Sequence, residues 1–304
     1  MTLRLPIVRA AGIGAALAAF LVVGLLGVRG YVDNFLLYRG FPPPREPAFV
    51  KHPGTLLKIG VPSPALGGRR QETYVYLPSG YASHPHERYP VLYLLHGIPG
   101  RPLAFIQTVQ MGVVEDTLTT LGRAQPLILV MPFGSTGTFT DEEWANAWGT
   151  FVTRDVVRYV DAHYRTRPAR AARAIGGLSE GGYGAINLAL QHPRMFSVVE
   201  SWSGYEKPDP LRSIFGAHLQ LLARNDPMLD LPHVARELHR LRTYFWFYSG
   251  TEDHFRAQNH AFAQSLSRFR IPNRFFLSHG GHNWALWRKH AAAAYLAAAG
   301  RLRA

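Results

Sequence analysis

Residues 171–191 read AARAIGGLSEGGYGAINLALQ, and this stretch decides the fold. A short apolar run leads into the pattern Gly177-x-Ser179-x-Gly181, and a helix-compatible segment follows. The order strand, tight turn, helix is the setting of a nucleophile elbow, in which the serine adopts a strained backbone conformation. Residues two positions before and after that serine must lack bulk, and glycine has no Cβ. We interpret Ser179 as a nucleophile; the alternative is a glycine turn with an ordinary serine.

A serine nucleophile needs a base and an acid, and candidates for both follow in the chain. The aromatic run TYFWFYS at 243–249 leads to Asp253, and the run RFFL at 274–277 leads to His282 in the loop SHGGHNW. Both runs are typical of strands, and open α/β sheets carry their sites beyond the carboxyl ends of strands. The chain order serine, acid, histidine is that of α/β-hydrolases. We therefore predict a triad of Ser179, Asp253 and His282.

Each member of this triad has a chemical task. A serine hydroxyl is a weak nucleophile at neutral pH, so the imidazole of His282 takes its proton during attack and returns it to the leaving group. The carboxylate of Asp253 fixes the imidazole tautomer and stabilises the imidazolium. Glu252 and Asp226 are the alternative acids. The non-catalytic interpretations are a loop aspartate that caps a helix and a surface histidine.

A further element lies upstream, where PVLYLL at 90–95 leads into HGIPG at 96–100. The nearly continuous apolar run is expected of a strand buried on both faces. The loop after this strand supplies one backbone N–H to an oxyanion hole, and the residue after the nucleophile supplies the other. We assign these donors to the backbone of Ile98 and of Glu180. We expect His96 to be structural, with its ring bonded to the backbone.

Five segments together carry a resemblance to a known family. They are LLHGIPG, WGTFVTRDVVRYVDAHY, IGGLSEGGYGAINLALQHP, GTEDHF and GGHNWALW, in this order. They resemble the esterase D group of α/β-hydrolases, which includes S-formylglutathione hydrolases, feruloyl esterase domains and mycolyltransferases. The resemblance covers about residues 56–298. It implies a serine carboxylesterase or acyltransferase with Ser179 as nucleophile, Asp253 as acid and His282 as base. The chain departs from the family at Asn283, where aspartate is common.

Composition and pattern agree with one catalytic domain. The chain has 304 residues, of which 47% are hydrophobic and 17% charged, so it can bury a sizeable core. Eight β-prone runs alternate for the most part with helical stretches, which favours a mostly parallel sheet with helices on both faces. The first two runs have no helix between them, so we expect an antiparallel edge. The sequence thus predicts an α/β-hydrolase fold with about eight strands. The runs lie near residues 56–61, 71–77, 90–95, 127–131, 171–176, 198–203, 243–249 and 274–278.

The N-terminus carries a second signal. Residues 10–28 are uncharged, and at 1.5 Å per residue a helix of this length approaches the roughly 30 Å core of a bilayer. Arg4 and Arg9 precede the run, so the positive-inside rule predicts one N-terminal transmembrane helix with the catalytic domain on the extracytoplasmic side of the cell membrane. Secretion after signal-peptide cleavage is the alternative, but no A-x-A site follows the run. We therefore expect an uncleaved signal anchor.

The chain divides into three predicted segments, which are an anchor at 1–30, a proline-rich linker at 31–55 and a catalytic domain at 56–304. The linker contains FPPPREP, which favours an extended spacer. The chain has no cysteine, so the fold needs no disulfide and contains no cysteine metal site. His279 and His282 are better explained by the hydrolase loop than by zinc. We expect neither a metal nor a cofactor.

The net charge of the chain is +13, mostly from scattered arginines. Nucleic acid is a conventional partner for such a chain, but no recognition motif, basic repeat with interleaved aromatics or phosphate loop is present, so we expect none. A basic domain held at a bilayer is attracted by lipid phosphates, which makes anionic lipid the better partner. An arginine-rich proteome explains the charge equally well.

Aromatic residues near the predicted strand ends are candidate substrate contacts. We name Trp148, Trp202 and Trp284, for which core packing is the alternative role. The acidic residues at 141–143 could meet a cationic group such as an aminoacyl amine, although a charge cluster at a helix N-terminus is the simpler explanation.

The sequence favours a membrane-anchored serine esterase that cleaves carboxylic esters through an acyl-enzyme. A lipid or cell-envelope ester, such as an aminoacyl ester of phosphatidylglycerol, is one candidate substrate. An acyltransferase would use the same triad with an alcohol in place of water. A non-catalytic envelope-binding protein on a hydrolase fold is the third hypothesis.

Overall fold

The computed structural model describes residues 5–135, 143–208 and 219–303. It divides into two compact units, Met1–Pro43 and Pro44–Ala304. Residues 44–55, which the sequence assigns to a linker, are part of the second unit. Val50 is buried there, and the backbone N–H of Gly54 donates to the carboxylate of Asp116 at 2.9 Å.

Helix α1 (Leu5–Tyr38) makes up most of the first unit that the structure describes. Large apolar side chains along it, including Leu17, Phe20 and Leu21, are exposed. Within the ranges that the structure describes, no helix has both the length and the apolar character that crossing a membrane requires. The membrane anchor at 1–30 stays a prediction.

The second unit is built on one eight-stranded sheet. Its strands are β1 (Thr55–Pro62), β2 (Arg70–Leu77), β3 (Val91–Leu95), β4 (Ile128–Pro132), β5 (Arg173–Leu178), β6 (Val198–Trp202), β7 (Tyr244–Gly250) and β8 (Asn273–Ser278). They lie in the order β1-β2-β4-β3-β5-β6-β7-β8. Strands β3 to β8 are parallel, whereas β1 pairs antiparallel with β2, and β2 with β4. The predicted mostly parallel sheet of eight strands with an antiparallel edge is confirmed.

Helices cover the sheet. They are α2 (Ala104–Gln107), α3 (Met111–Thr120), α4 (Asn146–Thr150), α5 (Val157–His163), α6 (Glu180–Gln191), α7 (Leu219–Arg224), α8 (Pro227–Arg240), α9 (Arg256–Arg268) and α10 (Trp284–Ala299). A π-helical turn at Phe151–Val156 joins α4 to α5.

Strand β3 shows how the two faces of the sheet are filled. Val91, Tyr93 and Leu95 pack in a core that includes residues of α6, whereas Leu92 and Leu94 pack in a second core that includes residues of α10. All five are buried because successive side chains point to opposite faces, and both faces are covered. A sheet buried in this way presents its loops, rather than its faces, to substrates.

Candidate active site

The nucleophile candidate lies in a strained turn between β5 and α6. Ser179 has φ 54° and ψ −122°, and its backbone N–H donates to the carbonyl of Trp202 at 3.0 Å. A Cβ at Gly177 would lie 2.3 Å from the carbonyl oxygen of Gly181, and one at Gly181 would lie 1.8 Å from that of Leu95. No side chain fits at either position without moving backbone. The turn therefore has the steric demands of a nucleophile elbow.

Three distant loops bring the predicted triad together. The hydroxyl of Ser179 donates to Nε2 of His282, with 2.8 Å between the heavy atoms. The Nδ1–H of His282 donates to Oδ2 of Asp253 at 3.0 Å, and the backbone N–H of Phe255 donates to Oδ1 at 2.9 Å. These roles follow from assigning the imidazole proton to Nδ1, where the carboxylate can accept it. Nε2 is then free to accept the proton of the serine.

The carboxylate of Asp253 is shielded from solvent, while the imidazole that it holds reaches the surface. The side chain of Asp253 is 0% exposed and that of His282 is 20% exposed. Burial by itself raises the pKa of Asp253, but the hydrogen bonds from His282 and Phe255, together with the charge of His282, outweigh burial and lower it. A carboxylate that stays ionised can stabilise an imidazolium.

Aromatic rings hold the imidazole of His282 in place. The ring centroids of His254 and Phe255 lie 5.1 and 5.5 Å from it, and Trp287 contacts it edge-on at 5.1 Å. None of these three residues is predicted from the sequence as part of the site. Their closeness in the sequence to the triad could have identified them, because His254 and Phe255 follow Asp253 directly and Trp287 lies in the first turn of α10, shortly after His282.

The alternative acids have other partners. Asp226 caps α8, and its carboxylate accepts hydrogen bonds from the backbone N–H groups of Met228 at 2.8 Å and Leu229 at 3.3 Å. The side chain of Glu252 is 66% exposed and lies 3.9 Å from His279. Of the three candidate carboxylates, Asp253 is the one that contacts His282.

The loop after β3 passes beside the nucleophile. A Cβ at Gly97 would lie 2.9 Å from the Cβ of Ser179. The buried ring of His96 donates through Nδ1 to the carbonyl of Gly97 at 2.9 Å and accepts at Nε2 from the backbone N–H of Gly134 at 3.1 Å. Burial lowers the pKa of His96 to about 4, so the ring is neutral. Its role is structural, as the sequence suggests.

The two predicted oxyanion donors flank this contact. Ile98 follows Gly97 in the loop, and Glu180 is the first residue of α6, directly after Ser179. The N-terminus of a helix also favours developing negative charge. The donor roles of Ile98 and Glu180 stay predictions.

The three predicted substrate tryptophans lie in different surroundings. Trp148 is 5% exposed and packs against Phe151, and Trp202 is 0% exposed and packs against Phe105. Trp148 on α4 packs in one of the two hydrophobic cores and Trp202 on β6 packs in the other. The structure therefore places both indoles in the cores and not in an open cleft. Trp284 is half-buried against Trp287, and its substrate role stays a prediction.

Two buried glutamates lie close to the site. Asp141 and Glu142 of the acidic cluster lie outside the described residues, but Glu143 is buried and accepts a hydrogen bond from the hydroxyl of Tyr205 at 3.1 Å. Among the residues that the structure describes, none forms a hydrogen bond with either carboxyl oxygen of the buried Glu206. Burial, and after it the negative charge of Asp253, raise the pKa of Glu206 well above its ordinary value. No sequence motif marks Glu206, so it is not predicted from the sequence.

The arrangement can perform nucleophilic acyl transfer. A hydroxyl, a base and an orienting carboxylate lie in hydrogen-bonding sequence, which is the constellation that activates a serine. In the part of the chain that the structure describes, no group of three or more His, Asp or Glu side chains is placed to hold a metal ion.

Several known proteins share this sequence pattern. The family model described as "Putative esterase" matches residues 63–297. The endo-1,4-beta-xylanase/feruloyl esterase of Xylanibacter ruminicola is 34% identical over 148 residues, which make up 45% of this chain and 20% of that protein. The diacylglycerol acyltransferase/mycolyltransferase Ag85B of Mycolicibacterium smegmatis is 25% identical over 327 residues and covers 90% of each chain.

Solved structures show the same fold. A ferulic acid esterase superposes with a TM-score of 0.74 at 23% identity and covers 83% of this chain and 100% of its own. The chain spans only 20% to 33% of the length of several curated relatives, among them the xylanase/feruloyl esterase. The family match, by contrast, extends over most of the chain, from the residue after β1 into α10. The protein therefore belongs to this esterase family and is a serine hydrolase of the α/β-hydrolase fold.

Proposed function

We propose that this serine hydrolase is a membrane-anchored carboxylesterase that cleaves a lipid or cell-envelope ester through an acyl-enzyme. The observation that carries the catalytic part is the chain of contacts from Ser179 through His282 to Asp253, at 2.8 and 3.0 Å. Family membership supports an esterase or acyltransferase. The anchor and the substrate class are the further steps of the proposal.

In the first half-reaction, Oγ of Ser179 attacks the ester carbonyl carbon while Nε2 of His282 takes the hydroxyl proton. Asp253 stabilises the resulting imidazolium through Nδ1–H. The backbone N–H groups of Ile98 and Glu180 are proposed to stabilise the oxyanion. The C–O bond to the alcohol then breaks, and His282 returns the proton to the leaving oxygen. The products are an acyl-serine and the free alcohol.

In the second half-reaction, water attacks the acyl-serine with His282 as base, and the acid is released with Ser179 restored. An alcohol in place of water would give acyl transfer by the same steps. The 25% identity to a mycolyltransferase over 90% of each chain supports acyl transfer as the second candidate function.

The proposed location is the cell membrane, with the catalytic unit on the extracytoplasmic side. The uncharged run at 10–28, flanked by Arg9 and Arg29, supports an uncleaved anchor. The net charge of +13 supports attraction to anionic lipid. An aminoacyl ester of phosphatidylglycerol is one substrate that fits a basic enzyme at such a surface.

Catalysis is tested by fluorophosphonate labelling and by turnover of p-nitrophenyl acetate. Wild type should label and turn over, Ser179→Ala should do neither, and Asp253→Asn should lower kcat by about 10⁴-fold. Asp226→Asn and Glu252→Gln are the matched controls, because they change the alternative carboxylates that do not contact His282. Equal loss in Asp226→Asn and Asp253→Asn, or no labelling of wild type, would contradict the assignment and favour a non-catalytic binding protein.

The substrate class needs product analysis. Wild-type protein incubated with aminoacylated phosphatidylglycerol should release free amino acid, and a panel of acceptor alcohols should yield no ester product. No release of amino acid while p-nitrophenyl esters turn over would remove this lipid and retain the esterase. Accumulation of a new ester with an acceptor would instead establish acyl transfer.

A further inference from the structure

The edge of the sheet opposite the triad carries many arginines. The parallel strands begin there, and their carboxyl ends lie at the triad edge. The arginines lie at helix ends, in the segments before β5, β7 and β8, and after α10. They are Arg167, Arg170, Arg240, Arg242, Arg268, Arg270, Arg301 and Arg303. Nearby carboxylates are already engaged, since Asp161 pairs with Arg173, and Glu237 pairs with Arg194 and, at 3.7 Å, with Arg240. The positive charge of this edge is therefore largely unbalanced.

A cavity of about 590 Å³, which we call the basal cavity, lies among these arginines. Its volume is in the range of small-molecule sites. Arginines from three separate stretches of chain line it, and none of its lining residues is acidic. These arginines are Arg170, Arg240, Arg242, Arg301 and Arg303. Contact between the stretches is direct, because the backbone N–H of Arg303 donates to the carbonyl of Ala171 at 3.0 Å.

The side chain of Arg170 lines one side of the basal cavity and is held in place by hydrogen bonds. Its guanidinium donates to the carbonyls of Pro193 and Leu241 at 3.1 and 3.2 Å and to the hydroxyl of Thr243 at 2.7 Å. These contacts hold the segments before β5, β6 and β7 together. The cavity thus has a preformed side, which reduces the ordering cost of binding a ligand.

Other guanidiniums of the cavity are available to a ligand. The exposed side chains of Arg242 and Arg303 make no hydrogen bond or ion pair with any residue that the structure describes. Arg301 lies over the ring of Tyr244, 3.9 Å from its centroid. Guanidinium presents paired N–H donors that match phosphate oxygens, and clustered positive charge concentrates anions. The basal cavity has the chemistry of a phosphate site.

A second cavity adjoins the first and shares Tyr244 and Arg301 with it. This apolar groove, of about 310 Å³, lies between β7, β8 and the last turns of α10. Trp246 and Phe276 form its floor with ring centroids 5.5 Å apart, and the 40% exposed Leu296 lies at its rim. A hydrocarbon chain would bury apolar surface there.

We propose that the basal cavity and the apolar groove together bind a phospholipid, with the phosphate among the arginines and an acyl chain along the groove. A soluble phosphate would use only the basal cavity, and a nucleic acid would need a longer basic track. The shared Tyr244 and Arg301 instead join a phosphate site to a hydrocarbon site, which is the arrangement that an amphiphile needs. The partner surface is therefore an anionic phospholipid bilayer.

The site is distinct from the catalytic centre. Strand β5, with six residues from Arg173 to Leu178, separates the basal edge from Ser179, and at about 3.3 Å per residue this is about 20 Å. A lipid bound there docks the catalytic unit and is not hydrolysed. A bilayer that supplied it would face the basal edge, and the triad would face away. The docking site is argued from the basal edge alone, so it does not depend on whether the esterase proposal holds.

The test is photocrosslinking of the full-length protein in zwitterionic detergent with phosphatidylglycerol that carries a diazirine in its acyl chain. Mass spectrometry should locate the adducts on peptides that contain Trp246, Phe276 or Leu296. The pair Arg242→Gln and Arg303→Gln should lower their yield by about tenfold or more. The control pair Arg123→Gln and Arg158→Gln removes equal charge from exposed side chains outside both cavities and should leave the yield unchanged.

Two further arms separate the possible ligands. Leu296→Glu, which puts a carboxylate at the rim of the groove, should abolish the acyl adducts, with an unchanged melting temperature showing that the variant is folded. Glycerol 1-phosphate should compete only weakly. The proposal would be overturned by adducts confined to other peptides, by equal yields from phosphatidylcholine, or by equal losses in both arginine pairs. It would also be overturned if glycerol 1-phosphate or an oligonucleotide competed as strongly as the lipid.

Discussion

Buried carboxyl groups of this protein take opposite charge states because they have different donors. Asp253 accepts hydrogen bonds from His282 and Phe255, which lower its pKa despite burial. Glu200, in β6, accepts one hydrogen bond from the indole of Trp202 at 3.1 Å, and burial raises its pKa to about 8. No residue that the structure describes donates a hydrogen bond to either carboxyl oxygen of Glu206, and burial together with the charge of Asp253 raises its pKa. The number of hydrogen-bond donors thus separates the triad acid, whose pKa is lowered, from buried glutamates whose pKa is raised.

The neutral state of Glu200 makes stability depend on pH. An unfolded chain releases this proton near pH 4.5 and the folded chain near pH 8, so the folded state binds more protons in between. The free energy of unfolding should therefore fall as pH rises through this window, by at most about 1.4 kcal/mol per pH unit from this group. Glu200→Gln has no such proton, so wild type should lose stability relative to the variant between pH 5 and 8. Denaturant unfolding of both proteins across this range measures the difference, and parallel curves would show that Glu200 does not titrate in this way.

The turn between β5 and α6 depends on close contact between backbones. Gly181 packs against the carbonyl of Leu95 at the end of β3, and Gly177 packs against that of Gly181. The same contacts place Ser179 next to Gly97 in the loop after β3. Packing of one turn therefore sets both the direction of the nucleophile and its distance from the proposed oxyanion donors.

Gly181→Ala should disrupt this turn. The added Cβ would meet backbone 1.8 Å away, so the β3 loop must move, at a cost of about 3 kcal/mol or more. Displacement of Ser179 by about 1 Å should lower turnover of p-nitrophenyl acetate by about 10²-fold or more. Gly281→Ala is the matched control near His282, because its Cβ would meet nothing closer than 3.7 Å. Similar turnover and unfolding free energy in the two variants would contradict this account of the elbow.

The catalytic unit has its own core and two edges of different character. Both hydrophobic cores consist of residues from the second unit. One edge of its sheet carries the triad and buried acidic groups such as Glu143 and Glu206, and the other carries the basal arginines. The net charge of the chain is thus unevenly distributed over this unit, which separates the site of chemistry from the site of docking.

A chain that begins at Pro44 should fold without the preceding residues and melt close to the full-length protein. A chain that begins at Leu56 lacks the hydrogen bonds from Gly54 to Asp116 and the first residue of β1. Because these bonds reach a buried carboxylate, we expect a loss of about 1–3 kcal/mol, which lowers the melting temperature by about 2–10 °C. Calorimetry of the three chains tests this. Equal melting of the two shortened chains would exclude residues 44–55 from the fold.

Local chemistry and patterning were sufficient to predict the sheet and the nucleophile turn. A short continuous apolar run, as at Val91–Leu95, indicates a strand buried on both faces without any knowledge of its neighbours in the sheet. The glycines around Ser179 indicate that the turn has no room for a Cβ at those positions. The chain order of serine, acid and histidine then limited the partners of Ser179 to a few residues.

The fold itself decided what depends on distant contacts. Asp253, Glu252 and Asp226 are all plausible acids along the chain, and only the approach of the loops after β7 and β8 brings Asp253 to His282. The sequence predicts Trp148 and Trp202 as possible substrate contacts, whereas the fold buries both side chains. The arginines are scattered along the sequence. In the fold, several of them precede parallel strands that begin at the same edge of the sheet, so they lie together around the basal cavity. Periodicity and turn sterics act over a few residues, whereas these features arise from pairing between stretches far apart in the chain.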